Sequence, residues 1–221
     1  MAKVHPNGVA AVAADNSSLI SSSVTDKAAA AAEPVVLTVW KKSLLFNCSG
    51  FTVFDTKGNL VYRVDNYANS SKKEILLMDA SGLPLLTFRR KKLSFGENWL
   101  VYEGESTSNP LFSARKQVNL LNSKCLATIT SANKNLAFEI EGSYAQRSCV
   151  VYDQQQNRRP VAEIKRKEAA KGGADFGVDV FRLVVQPGVD PAFGMALVIL
   201  LDEMFHSSKS SSTTLRRRFS F

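Results

Sequence analysis

Over most of its length the chain alternates short apolar runs with turn residues. Phe51-Thr52-Val53-Phe54 leads through Asp55-Thr56-Lys57-Gly58 into Asn59-Leu60-Val61-Tyr62-Arg63-Val64. Asp at the first turn position and Gly at the fourth suit a type I turn followed by a residue with positive φ. The pattern repeats in Ile75-Leu76-Leu77-Met78, Asp79-Ala80-Ser81-Gly82 and Leu83-Pro84-Leu85-Leu86-Thr87-Phe88. A looser third copy runs from Cys149-Val150-Val151-Tyr152-Asp153 through a longer turn to Pro160-Val161-Ala162-Glu163-Ile164. Further strands are predicted at 35–40, 99–103, 111–115, 126–130, 136–141 and 180–185. The total is about twelve short antiparallel strands.

The run Asp190-Pro191-Ala192-Phe193-Gly194-Met195-Ala196-Leu197-Val198-Ile199-Leu200-Leu201-Asp202-Glu203-Met204-Phe205 behaves differently. Its apolar positions cover every side, so as a helix over about 191–205 it must be enclosed. The uncharged part, 192–201, would span only about 15 Å, whereas a bilayer core needs about 20 apolar residues. The helix is therefore predicted to lie inside its own domain. A closed barrel removes exposed strand edges but needs a filled interior. Threading the helix through the barrel meets both needs. Asp190 is placed to cap the free N–H groups and Pro191 suits the first turn. Gly194 and Ala196 would let strands approach closely. Asp202 and Glu203 are expected to emerge from the barrel mouth, because an unpaired buried carboxylate is costly.

Composition narrows the function classes. The three cysteines, Cys48, Cys125 and Cys149, fit no metal spacing and read as small apolar residues in a reducing compartment. With two histidines, His5 and His206, most Ser-His, Cys-His and zinc chemistry has no raw material. No catalytic residue, metal or cofactor is expected. Asp55, Asp79 and Asp153 are repeated carboxylates, but Asp at a turn start bonds its own turn backbone. The net charge of +8 permits attraction to phosphates on lipid or nucleic acid without establishing either.

Three regions are expected: an Ala/Ser-rich disordered tail at 1–33, a barrel domain at 34–206, and a flexible basic tail at 207–221. Neither a convincing secretory signal nor a lipidation motif is recognisable.

Several segments together resemble the plant LURP-one-related proteins. They are Thr38-Val39-Trp40-Lys41-Lys42-Ser43-Leu44, Gly50-Phe51-Thr52-Val53-Phe54-Asp55 and Gly58-Asn59-Leu60-Val61-Tyr62-Arg63-Val64-Asp65. Leu77-Met78-Asp79-Ala80-Ser81-Gly82-Leu83-Pro84-Leu85-Leu86, Phe138-Glu139-Ile140-Glu141-Gly142 and Val189-Asp190-Pro191-Ala192-Phe193 belong to the same set, and the opening Met1-Ala2-Lys3-Val4-His5-Pro6-Asn7 is similar too. The resemblance covers about 34–206. It implies a tubby-like fold, a twelve-stranded barrel around a central C-terminal helix, related to tubby proteins and phospholipid scramblases. It also implies a non-catalytic role in defence or signalling, with phosphoinositide contact as in tubby domains.

The candidate contact residues are basic. Arg89, Arg90, Lys91 and Lys92 follow the second hairpin, and Lys165, Arg166 and Lys167 take the corresponding place in the third copy. Such clusters, neighbouring on the barrel, would bind headgroup phosphates, Arg through paired hydrogen bonds and Lys as a point charge. In the tail, Arg216, Arg217 and Arg218 lie beside Phe219 and Phe221, a combination suited to an anionic interface. Ser220 sits in a basophilic-kinase context, and its phosphorylation would weaken that contact. The expected partner is anionic membrane lipid, with a protein-interaction module lacking lipid affinity as the alternative. A scramblase-like or transcription-regulating role is more remote. No interleaved aromatic platform supports sequence-specific nucleic-acid binding. The expected location is the cytoplasm, extending to the inner face of the plasma membrane or to the nucleus.

Overall fold

The computed structural model describes residues 32–45, 48–67, 74–91, 96–117, 124–131, 136–168 and 177–206. Lys92, Arg216, Arg217, Arg218 and Ser220 lie outside these residues. Twelve strands occur among them: β1 (Val35–Trp40), β2 (Cys48–Phe54), β3 (Leu60–Tyr67), β4 (Glu74–Asp79), β5 (Pro84–Arg90) and β6 (Asn98–Glu103). They continue with β7 (Phe112–Lys116), β8 (Cys125–Ser131), β9 (Ala137–Ser143), β10 (Ser148–Asp153), β11 (Arg159–Arg166) and β12 (Val180–Val185). One helix, α1 (Pro191–His206), follows.

Each strand pairs antiparallel with its sequence neighbours, and β1 pairs with β12, so the sheet closes. Odd strands run one way and even strands the other. The barrel therefore has two distinct ends. One carries the Asp-led hairpin turns and the start of the helix; the other carries the odd-strand termini and the helix exit. Each of the three Asp-led hairpins shifts register just before its turn, between Val53 and Phe54, Leu77 and Met78, and Val151 and Tyr152. The repeat legible in the sequence is thus a repeat of bulge plus turn.

Inward positions alternate along the strands, with Leu37, Val39, Val53, Leu77, Phe88, Val101, Ile129, Ile140, Ile164 and Leu183 almost wholly buried. They meet the helix, in which every residue from Met195 to Leu201 is buried. Each such large apolar side chain contributes about 1.5–3 kcal/mol, which is why an all-round apolar helix is stable here. Phe193 packs on Phe112 and Phe138 with ring centroids 5.4 and 5.0 Å away. At Gly194 a Cβ would stand 2.7 Å from Val185 Cγ2, so glycine permits the close approach to β12. Asp190 Oδ1 accepts the Ala192 N–H at 2.8 Å, the predicted cap. No helix among the described residues is long and apolar enough to cross a membrane.

Candidate functional site

The aspartates of the hairpin-turn end are consumed by their turns. Asp55 accepts the N–H groups of Lys57 and Asn59 on Oδ1, and the Asn59 side-chain amide on Oδ2, all at 2.8 Å. Asp79 accepts the Ser81 hydroxyl at 2.7 Å and the Leu83 N–H at 2.9 Å. These bonds, the side-chain ones foremost, hold both carboxyls below the ordinary carboxylate range. Asp153 Oδ1 accepts the Gln155 N–H at 2.8 Å. The positions and bonds are those of turn builders.

The helix-exit end is built around charge. Lys41, just past β1, places Nζ 2.7 Å from Asp202 Oδ1, and the Tyr144 hydroxyl donates to the same oxygen at 3.1 Å. Asp202 therefore does not project free from the mouth, as its sequence position suggested. It is half-buried and held by partners from the segment just after β1 and from the β9–β10 turn. Lys116 Nζ donates to the Met204 carbonyl and to Glu97 Oε2, the latter at 3.1 Å, and stands over the Phe205 ring. A cation on the last carbonyls of a helix also complements its dipole.

The two predicted basic clusters share this end, since β5 and β11 are both odd strands. They do not form one patch. Six strand steps separate β5 from β11 in a ring of twelve, so the clusters lie on opposite walls. Equivalence within a sequence repeat fixes the end of the barrel but not the position around it. Arg89 is engaged by Glu74 at 3.0 Å and stacks over Tyr102; Arg90 lies 3.7 Å from Glu97. Lys91 is exposed.

The β11 cluster has different neighbours. Lys165 is exposed, with an ion pair to Glu163 on its own strand. Directly across the ladder it faces Arg182 of β12, also exposed. Like charges opposed on adjacent strands repel; Glu163 offsets part of that repulsion on the Lys165 side, and an anion seated between the two cations would relieve more of it. Arg166 is exposed and Lys167 half-buried at the strand's end. Arg182 in turn faces Thr38 of β1, one pleat from Trp40. Lys42 Nζ stands 5.1 Å from the centre of the Trp40 ring. The wall β11–β12–β1 thus carries the facing pair Lys165 and Arg182, while Arg166, opposite the buried Phe181, follows on the other face of its strand and Lys42 follows β1 beyond Trp40. Sequence reasoning missed Arg182 and Lys42, because only the barrel closure brings β1 beside β12.

Burial makes the thiols poor nucleophiles. It pushes Cys149 up to about 12, and it does the same to Cys125 with help from Glu139. Cys48 is half-exposed.

A closed twelve-stranded antiparallel barrel threaded by its C-terminal helix defines the class of protein. The family follows from comparison: the LURP-one-related family model matches residues 35–202, and the chain belongs to that family. It is 51% identical over 208 residues to LURP-one-related 8 of Arabidopsis thaliana, covering 94% of this chain and all of that one. Arabidopsis LURP-one-related 17 is 45% identical over 183 residues, covering 76% of this chain and 82% of the relative. An X-ray structure of another Arabidopsis protein superimposes with a TM-score of 0.57 at 26% identity, over 77% of this chain and 91% of its own.

Proposed function

We propose that this chain is a non-catalytic module that docks on an anionic phospholipid surface through its helix-exit end. The observation that carries the reading is the β11–β12–β1 wall, where Lys165 and Arg182 oppose each other in the ladder with Arg166 and Lys42 nearby. The turn-bound aspartates and the sluggish buried thiols support a role without catalysis. The family resemblance points the role toward defence or signalling. The cytoplasmic face of a membrane, rich in anionic lipid, is the surface that suits it.

Magnitudes set the character of the contact. Each cation near an anionic leaflet contributes about 1 kcal/mol. Four would give about 4 kcal/mol, which corresponds to roughly millimolar affinity. Docking on charge alone would be weak and salt-sensitive.

Co-sedimentation with phosphatidylcholine vesicles, with and without phosphatidylserine or a phosphoinositide, tests the reading. Binding should require the anionic lipid and weaken as salt rises. The triple variant Lys165→Glu, Arg166→Glu, Lys167→Glu should lose most of it, and Arg90→Glu with Lys91→Glu should lose less. Equal binding to neutral and anionic vesicles would refute the reading.

A further inference from the structure

We infer that the docking face carries an apolar rim, Trp40 with Leu44 and Leu45, that inserts into the membrane interface. The inference rests on the lipid-docking reading and deepens it. Six large hydrophobic residues are exposed among the described residues, and four of them, Trp40, Leu44, Leu45 and Val178, stand at the helix-exit end. Their exposures are 39%, 51%, 38% and 45%, beside a core that is nearly all sealed.

These side chains are held outward by a built framework. Trp40 is the last residue of β1, on the outward face of a strand whose Leu37 and Val39 point into the core. Beyond it the backbone is pinned residue by residue. The Lys41 N–H donates to the Asp179 carbonyl at 2.7 Å, and Thr52 Oγ1 donates to the Lys42 carbonyl at 2.6 Å. Ser43 is buried and its hydroxyl donates to Asp65 Oδ1 at 2.5 Å. Asp65 is held in turn by Arg63, with Nε 3.1 Å from Oδ2. The Leu45 N–H then donates to Ser43 Oγ at 3.0 Å. With Ser43 anchored inward, the two leucines after it are left facing water. Val178 is fixed in the same way. Arg147, buried between the rings of Tyr144 and Phe181, donates from Nε to the Val178 carbonyl at 2.8 Å.

The surroundings select the occupant. Lys42 stands over Trp40, and Arg182 and Lys165 line the adjoining wall. A second copy meeting this face with its own would bring like charges together. An anionic bilayer interface takes cations at the headgroups and Trp and Leu just below them. The apolar rim supplies the affinity that the cations alone lack.

Trp fluorescence reads the rim directly. The chain has two tryptophans, Trp40 and Trp99, and Trp99 is buried at 5% exposure, so a lipid-dependent change reports Trp40. On adding phosphatidylcholine–phosphatidylserine vesicles the emission should shift to the blue and be quenched by brominated acyl chains. Trp40→Phe should abolish the signal. Leu44→Ser with Leu45→Ser should weaken vesicle binding about tenfold or more, with melting unchanged because both side chains are exposed. Leu83→Ser, at the opposite end, should leave binding as it was. If anionic vesicles bind while Trp40 emission and the double variant's affinity stay unchanged, insertion is wrong and electrostatic docking stands. If the parent binds no anionic vesicle, both readings fall. A blue shift that grows with protein concentration without lipid would assign the rim to self-association and overturn the inference.

Discussion

Lys41 and Asp202, 161 positions apart, meet at 2.7 Å and tie the end of the first strand to the last turn of the central helix. Both side chains are less than one-fifth exposed, so water screens the pair only in part. Tyr144 closes the group on the same carboxylate oxygen. Asp202→Asn keeps the shape and removes the charge. It should lower stability by about 1.5–3 kcal/mol, the range for hydrogen bonds to charged groups. Lys41→Met should cost a similar amount, and the double variant less than the sum. Urea unfolding of the four proteins measures the coupling.

The helix is the barrel's core, so its changes should be felt globally. Gly194→Ala would drive a Cβ to 2.7 Å from Val185 Cγ2 and should cost about 1–3 kcal/mol through overpacking. Leu197→Ala opens a cavity at a fully buried site and should cost about 2–5 kcal/mol. Both should lower the urea midpoint with the slope retained.

Thiol labelling should be ordered by burial. At mildly alkaline pH, Cys48 should react with a small alkylating agent in the native protein. Cys125 and Cys149, with thiols raised to about 12, should stay unlabelled until unfolding. Mass spectrometry of digests before and after denaturant resolves the three sites.

Alkali should destabilise the fold through its buried phenols. Burial, then the negative charge of Asp190, raises Tyr62 from 10.0 to about 12. Tyr144 is raised well above its ordinary value, by burial first and then by Asp202. A raised folded-state value means that the native protein binds the proton more tightly than the unfolded chain. The contribution is therefore full below pH 10 and is lost as pH rises toward 12. Stability should fall over that window, and Tyr62→Phe should make the fall shallower. Unfolding followed at several pH values checks the slope.

The fold was legible because its instructions are local. Asp at a turn start and Gly three residues on define the first two hairpins, Asp alone marks the third, and an apolar run too short for a bilayer leaves the helix nowhere but inside. The contact surface was legible only in part. Arg89-Arg90-Lys91 and Lys165-Arg166-Lys167 look alike in sequence, yet Glu74 and Glu97 engage the first cluster from neighbouring segments. The second has Lys165 paired with Glu163 of its own strand and meets Arg182 through strand pairing. Trp40 and Lys42 join that wall because the last strand closes on the first, a contact spanning almost the whole domain. The Lys-Lys-Ser-Leu-Leu segment after a strand was the signal available for the rim.

Lysine acetylation mapped by mass spectrometry, with and without anionic vesicles, tests the central claim most directly. Lys42, Lys165 and Lys167 at the helix-exit end should be protected by vesicles, while Lys57 at the hairpin-turn end should react at an unchanged rate. Protection of Lys57 equal to theirs, or no protection of the three, would contradict docking through this end.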